Sequence, residues 1–514
     1  MELLHVKIPS WADLQWWLPE AVLCLTFLVG IVGDLIAGRL LTSGRRPVVA
    51  FAVAVAGLCA AGALAIADTH AVAPAGGRAI MGDLMVVDGM AIYFRLLFVF
   101  AGLATVLFAW TSEEIMGHRR ENKGEFYVLT VLMTLAMMVM AEARDLLMLY
   151  LSMEGVGLAS YVMAGYMRTS LRSTEASLKY VIFGAVSSAI MLFGLSLLYG
   201  MTGSLQFSGI RAVLLGGGAE PFGLLVAVVL MLAGMSYKIA AVPFHFWCPD
   251  VYEGAPTPVA ALFSVGPKAA GFALMIRFFY STLAAGTNVA ASASLVQTIN
   301  WPLLVSVISA ATMTFGNLVA LRQTNVKRML AYSSIAHVGY LLMGFVLLSD
   351  AGLAAILFYL LVYTLMNLGA FFFVVAVNNH LKSEELSDYA GLGYRLPWAG
   401  VMMVVFMASL TGVPPFAGFV GKLYLFTAVM DRQWFWLVII AALNSVVSLY
   451  YYFRVVRQMW LVRPAEGADL SPLRLNWLQY AVLACLAVPS VVLGLYFGQF
   501  KDLADAGIRA MAGG

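Results

Sequence analysis

Five ionisable side chains sit inside long apolar runs, where a solvated charge has no place: Glu154, Lys179, Lys238, Lys268 and Lys422. A charge at the centre of a membrane-spanning helix costs about 2.5–3.5 kcal/mol on insertion scales, so such groups face the interior of a helix bundle and mark pathways for ions or protons. Glu154 lies in Leu149-Tyr150-Leu151-Ser152-Met153-Glu154-Gly155-Val156-Gly157, and the glycines beside it would admit a close neighbouring helix. Lys238 lies in Ser236-Tyr237-Lys238-Ile239-Ala240-Ala241-Val242-Pro243-Phe244-His245. Pro243 has no N–H to donate and predicts a break just beyond the lysine. At membrane depth a break is tolerated only against protein or a water-filled cavity. Desolvation disfavours a buried ammonium and a nearby carboxylate favours it, so a lysine between those influences can take up and release a proton.

Each residue also has a plainer reading. Glu154 and a lysine would make an ion pair that only joins helices. Lys238 would be unrelated to a proline kink. Lys179, opening Lys179-Tyr180-Val181-Ile182-Phe183-Gly184, lies within reach of the interface and would be a snorkelling anchor. Lys268 follows Pro267 in mid-span, where snorkelling is difficult. His337, in Tyr332-Ser333-Ser334-Ile335-Ala336-His337-Val338-Gly339-Tyr340, suits a proton relay because its ordinary pKa is near neutrality, and suits a helix-to-helix hydrogen bond equally well. A second break, Gly412-Val413-Pro414-Pro415-Phe416 with Lys422 after it, echoes Ala241-Val242-Pro243-Phe244, and paired breaks of this kind suggest internal repeats.

The elements that must position these groups are apolar helices. Of the 514 residues 62% are hydrophobic and 11% charged, against roughly 25% charged in soluble proteins. About fourteen stretches reach the roughly 20 apolar residues a span requires. They lie near 18–37, 47–67, 88–110, 125–143, 146–167, 176–200, 222–246, 256–280, 302–321, 329–349, 353–378, 398–430, 435–459 and 477–498. The predicted fold is an all-α polytopic membrane protein, one membrane domain over 1–514. The N-terminus lacks a signal peptide's basic run, and the first span is expected to persist. Of the 30 Lys and Arg residues, 17 fall in one alternate set of loops and 7 in the other with the termini, which predicts both termini outside the cytoplasm.

Other chemistries find little support. The net charge of +3 and the lack of a long basic tract exclude a nucleic-acid partner. Cys24, Cys59, Cys248 and Cys485 form no C-x-x-C pair, and no helical spacing favours a haem between His245 and His337. Arg95 and Arg277, nearer the outer span ends, are expected to snorkel, and Glu142 in Ala141-Glu142-Ala143-Arg144-Asp145 to join an interfacial charge cluster. The outer loop 68–84 carries no evident chemistry.

Three segments carry a family likeness: SYKIAAVPFHFWCPDVYEGAPTPVAALFSVGPKAAGFALMIR at 236–277, EASLKYVIFGAVSSAIMLFGLSLLYGM at 175–201 and RQTNVKRMLAYSSIAHVGYL at 322–341. The sequence resembles the antiporter-like membrane subunits of bacterial proton-translocating NADH–quinone oxidoreductase (respiratory complex I, NDH-1) from about residue 18 to 498. Within them it is most similar to the subunit N branch, because Lys422 stands where the M branch is expected to carry glutamate, and no long lateral helix of the L branch follows the last span. The resemblance implies two inverted five-helix repeats, 125–280 (spans four to eight) and 302–459 (spans nine to thirteen), with discontinuous seventh and twelfth helices. It also implies that Glu154 and Lys238 form the family's glutamate–lysine pair, with Lys179, Lys268 and Lys422 as its further lysines. The activity it implies is proton transfer across the bacterial inner membrane. No cofactor is expected on this chain, with NADH, FMN, iron–sulfur clusters and quinone in partner subunits. Lipid and other complex I membrane subunits are the implied neighbours. A subunit of a multisubunit sodium–proton antiporter, or a structural membrane scaffold, are the alternatives.

Overall fold

The computed structural model describes residues 11–40, 46–72, 77–117, 123–283, 299–464 and 471–498. Apolar helices dominate it, and twelve are long and apolar enough to cross a membrane. The two remaining expected spans are also present. The tenth is Val326–Phe345, and the twelfth is two half-helices, Pro397–Thr411 and Ala417–Asp431. Polar caps set many starts, because the first N–H groups of a helix need outside acceptors. Asp145 accepts from the Met148 amide at 2.8 Å, and Asn476 with Gln479 forms a reciprocal capping box.

Burial sorts the helices into a core and a rim. Every residue in the apolar window of Thr257–Thr282 is buried, as is 94% of that in Asp350–Leu381, against 33% and 28% in the first two spans. A helix apolar on all sides and buried on all sides is a bundle core. The eighth and eleventh spans, packed on each other, are that core. Lys268 sits on one of them.

Both expected breaks are present. Pro221–Ile239 ends after Lys238 and the chain resumes as Trp247–Gly254. Ala240 (φ +60°) and Gly412 (φ +86°) close their half-helices in the left-handed conformation. The next amide reaches back five residues in each case, Ala241 to the Ser236 carbonyl at 2.8 Å and Val413 to that of Ala408 at 3.1 Å. That is the same helix-ending motif twice. The short sequence echo thus extends to the backbone.

The loops gather into two polar faces. On one, Lys327 pairs with Glu384 at 2.8 Å, Arg328 with Asp250 and Glu253 at 2.8 and 2.7 Å, and Lys382 with Glu113 at 2.5 Å. On the other, the second span runs on to Val72, residues 73–76 of the featureless-looking loop lie outside the described residues, and an antiparallel hairpin follows, Arg78–Ile80 with Met85–Val87. Ile80, Met85 and Val87 pack with Ile92 against Trp16 and Trp17.

Two arginines expected to snorkel are instead fixed inside the protein. Arg277 grips Asp88 with both terminal nitrogens at 2.5 Å and donates through Nε to the Ala141 carbonyl at 2.9 Å. Burial alone would push the Asp88 carboxyl up. The charge and hydrogen bonds of Arg277, with the amides of Ala91 and Met90, outweigh it and hold the group below the usual carboxylate range. Arg95 is fully buried, and Glu142 is its partner at 2.8 Å rather than an interfacial residue. Both were misjudged because their acidic partners come from helices remote in sequence.

Candidate functional site

A polar path runs through the apolar core, and it is built from the sequence-predicted residues plus hydroxyls that sequence alone did not single out. Glu154, partly buried on Leu146–Ala164, accepts a hydrogen bond from Ser188 on the sixth span. Lys238 is buried (3% exposed) at the end of its half-helix. Among the described residues no direct ion pair joins the two. In this region Tyr237 donates to the Tyr180 carbonyl at 3.0 Å, and the Tyr161 and Tyr180 rings meet edge to face at 4.9 Å. The break itself is satisfied by protein. The Val242 amide donates to Thr312 Oγ1 at 3.0 Å, and the Trp247 indole donates to the Tyr237 carbonyl at 2.9 Å.

Close helix approach occurs at Gly184 rather than at the glycines flanking Glu154. A Cβ at Gly184 would lie 1.9 Å from Tyr161 Oη, whereas one at Gly155 would meet only Ala136 at an ordinary 3.7 Å. Gly184→Ala is therefore expected to displace Tyr161, lowering stability by about 1–3 kcal/mol as overpacking does. It should depress proton pumping more than it depresses the amount of protein in the membrane. Thermal unfolding and pumping of the same preparation check this, and no change in either would mean that Tyr161 swings aside freely.

Lys268 donates to Ser334 on the tenth span, lies 3.8 Å from Cys248 Sγ, and stands 5.5 Å from the centre of the Tyr252 ring. His337 follows one turn along from Ser334. Its Nδ1 meets Tyr359 Oη at 2.7 Å and its Nε2 meets Tyr452 Oη at 3.0 Å, while Tyr452 also hydrogen-bonds Ser333. His337 lies three residues after Ser334 and four after Ser333, spacings that bring each serine beside the histidine on the helix surface, and this was a readable signal. Lys422 donates to the Thr411 carbonyl at 2.8 Å, across the twelfth-span break, with its nitrogen 4.7 Å from the centre of the Tyr340 ring. Gly412 holds that break in a conformation costly for other residues, and a Cβ there would press on the lysine stem at 2.9 Å. Lys268, His337 and Lys422 are buried, and neutral groups supply their hydrogen bonds.

Lys179 lies apart from this path. It pairs with Asp250 and Glu175, each at 2.8 Å, with its side chain 40% exposed. The pairs line a cavity of about 220 Å³ with Arg172, Glu253 and Arg328. Asp250, also bonded to Arg328, links this charged mouth to the short helix that bears Cys248. Among the described residues no group of three His, Cys, Asp or Glu side chains could hold a metal ion.

The comparisons agree with this architecture. The family model described as NADH:quinone oxidoreductase/Mrp antiporter, TM, matches residues 143–448. NADH-quinone oxidoreductase subunit N of Anaeromyxobacter sp. (strain Fw109-5) is 45% identical, with 97% of each chain covered. Subunit N 2 of Chloroherpeton thalassium is 42% identical over 96% of this chain and 94% of its own. A chain of respiratory complex I from Thermus thermophilus with bound aureothin has a TM-score of 0.75 at 31% identity, covering 95% of this chain and 99% of that one. A chain of the Mrp complex from Dietzia sp. DQ12-45-1b shares the fold, with a TM-score of 0.79 at 22% identity over 96% of this chain and 98% of its own. With a buried charged path on a broken-helix scaffold and relatives of this kind along nearly its whole length, the chain belongs to the NADH:quinone oxidoreductase/Mrp antiporter transmembrane family, in its NADH-quinone oxidoreductase subunit N branch.

Proposed function

We propose that the chain conducts protons as the antiporter-like subunit N of a bacterial NADH–quinone oxidoreductase, driven by redox chemistry in its partners. NADH, FMN, iron–sulfur clusters and quinone belong to those partner subunits, and other membrane subunits of the complex flank this chain in the lipid bilayer of the inner membrane. The observation that supports this reading best is the chain of buried groups from Glu154 and Lys238 through Lys268, Ser334 and His337 to Lys422. Weakening the influence of Glu154 on Lys238 releases a proton toward Lys268, then by way of His337 to Lys422 and the outer side. Lys179, with Asp250, modulates the first part of the route from its charged mouth. Moving one charge against 100 mV requires about 2.3 kcal/mol, and a pKa change of under two units supplies that much. A change of partner at Lys238 is large enough. The two breaks with one closing motif support inverted repeats at 125–280 and 302–459.

Lys268→Met tests the function, because it keeps the shape of the side chain and removes its charge. In native membranes the variant should oxidise NADH with an artificial electron acceptor at the wild-type rate while losing most quinone-linked proton pumping. Preserved pumping would favour a structural scaffold, and pumping that requires sodium would favour a sodium–proton antiporter subunit.

The loop charges further predict both termini on the outer side. Reporter fusions at either end should be active only outside the cytoplasm, and a cytoplasmic C-terminus would contradict the span count.

A further inference from the structure

Four charged side chains from the first four spans meet in a site that the lysine path does not use. Arg95 donates through Nε to Glu20 Oε1 and to Glu142 Oε1, both at 2.8 Å. Its Nη2 donates to Glu20 Oε2 at 2.9 Å and to the Trp16 carbonyl at 3.0 Å, and its Nη1 to Asp68 Oδ2 at 3.0 Å. The Arg95, Glu20 and Glu142 side chains are 0% exposed, and that of Asp68 is 17% exposed. The second carboxyl oxygen of Glu142 is buried among these groups without a hydrogen-bond partner.

The charge count decides what this arrangement holds. One guanidinium faces three carboxyls, so full ionisation would leave two uncompensated negative charges in a dry interior, where an acid takes a proton instead. Oxygens of Glu20 and Glu142 both accept from one nitrogen of Arg95 at 2.8 Å, which sets the two carboxyl groups side by side. A hydrogen bond between two carboxyls needs a proton on one of them, and two carboxylates sharing a site keep one proton between them. Among the described residues Arg95 is the cation that pairs with these three carboxyls, and neither Arg78 nor Arg144 forms an ion pair with them. Asp88 and Arg277 neutralise each other, Arg78 lies over the Trp16 ring at 5.7 Å, and the Cys24 thiol is one turn along from Glu20. Asp68 is the member of the cluster that reaches the surface, on the face that bears the 78–87 hairpin.

We propose that this cluster binds one exchangeable proton, held between Glu20 and Glu142 and reaching water through Asp68, so that the chain carries a proton-binding site separate from the lysine path. Loading transfers a proton from hydronium to one glutamate oxygen and leaves water, and unloading reverses it. The site does not depend on which redox partners the chain serves.

Infrared difference spectroscopy of the purified native complex tests it. The wild type should show a carboxylic-acid carbonyl band that shifts in D2O. Glu142→Gln and Glu20→Gln should each abolish it, since either change leaves a single buried glutamate against Arg95, with Asp68 reaching the surface. Asp68→Asn should keep the band and slow its deuterium shift several-fold. A band that survives both glutamine variants, or that does not shift in D2O, overturns the site, and loss in only one variant overturns the sharing. Should the glutamine variants fail to assemble, selective 13C labelling decides in the wild type. The band must move with labelled glutamate, and a band that moves with labelled aspartate instead overturns the assignment.

Discussion

Glu154→Gln and Lys238→Ala should leave NADH oxidation by an artificial acceptor near the wild-type rate and abolish most quinone-linked proton pumping in the same membranes. Glutamine at 154 still accepts the hydrogen bond from Ser188, so the local geometry survives while the charge that acts on Lys238 is gone. Without that charge, desolvation acts unopposed on the buried ammonium, and the lysine no longer cycles between its two protonation states. Glu154→Asp keeps the charge and should retain substantial activity. Removing one partner of a buried pair costs about 3–5 kcal/mol where the pair is in contact. Here no direct ion pair is present, so the assembly defect should be milder than that. Equal loss of both activities would point to a structural role, and loss of neither would remove the pair from transport.

Lys422→Ala should damage pumping more than Lys422→Arg, although neither restores the wild-type rate. Lys422 bridges the twelfth-span break by donating to the Thr411 carbonyl, and it lies against the Tyr340 ring. Alanine leaves that buried carbonyl without the lysine, an unmade bond costing about 1–3 kcal/mol, and it empties the volume of the lysine stem. Arginine keeps a positive charge for the carbonyl and the ring but does not release a proton at accessible pH. Pumping and the amount of assembled complex, measured together, separate the two effects. Full pumping by the alanine variant would remove Lys422 from the exit route.

The charged members of the path were legible because a lysine or glutamate in an apolar run contradicts its surroundings. The two breaks were legible because proline cannot continue a helix. The hydroxyls between the charges were not. Serine and tyrosine occur in any apolar helix, and only packing decides that Tyr359 and Tyr452, from the eleventh and thirteenth spans, close on opposite sides of His337. Arg95 and Glu142 failed for a related reason. Each lies near a span end, where solvent is the default partner, but Arg95 meets Glu20 from the first span and Glu142 from the fourth. Ion partners separated by whole helices leave no local pattern. Lys179 went the other way, since its position near the interface was readable and its two acidic partners match a half-exposed residue there.

On the proposed route, the setting of His337 would impose a direction on each proton passage. A neutral imidazole has one donor nitrogen and one acceptor nitrogen, and a tyrosine hydroxyl can take either part. With a hydroxyl on each nitrogen, the row Tyr452–His337–Tyr359 is a short hydrogen-bonded wire with two polarities. A proton that hops along it leaves every bond pointing the other way. No second proton can follow in the same sense until the hydroxyls and the ring tautomer reset. If the proposed route passes through it, the segment would work as a single-shot relay, whose recovery is a reorientation of dipoles rather than a movement of charge.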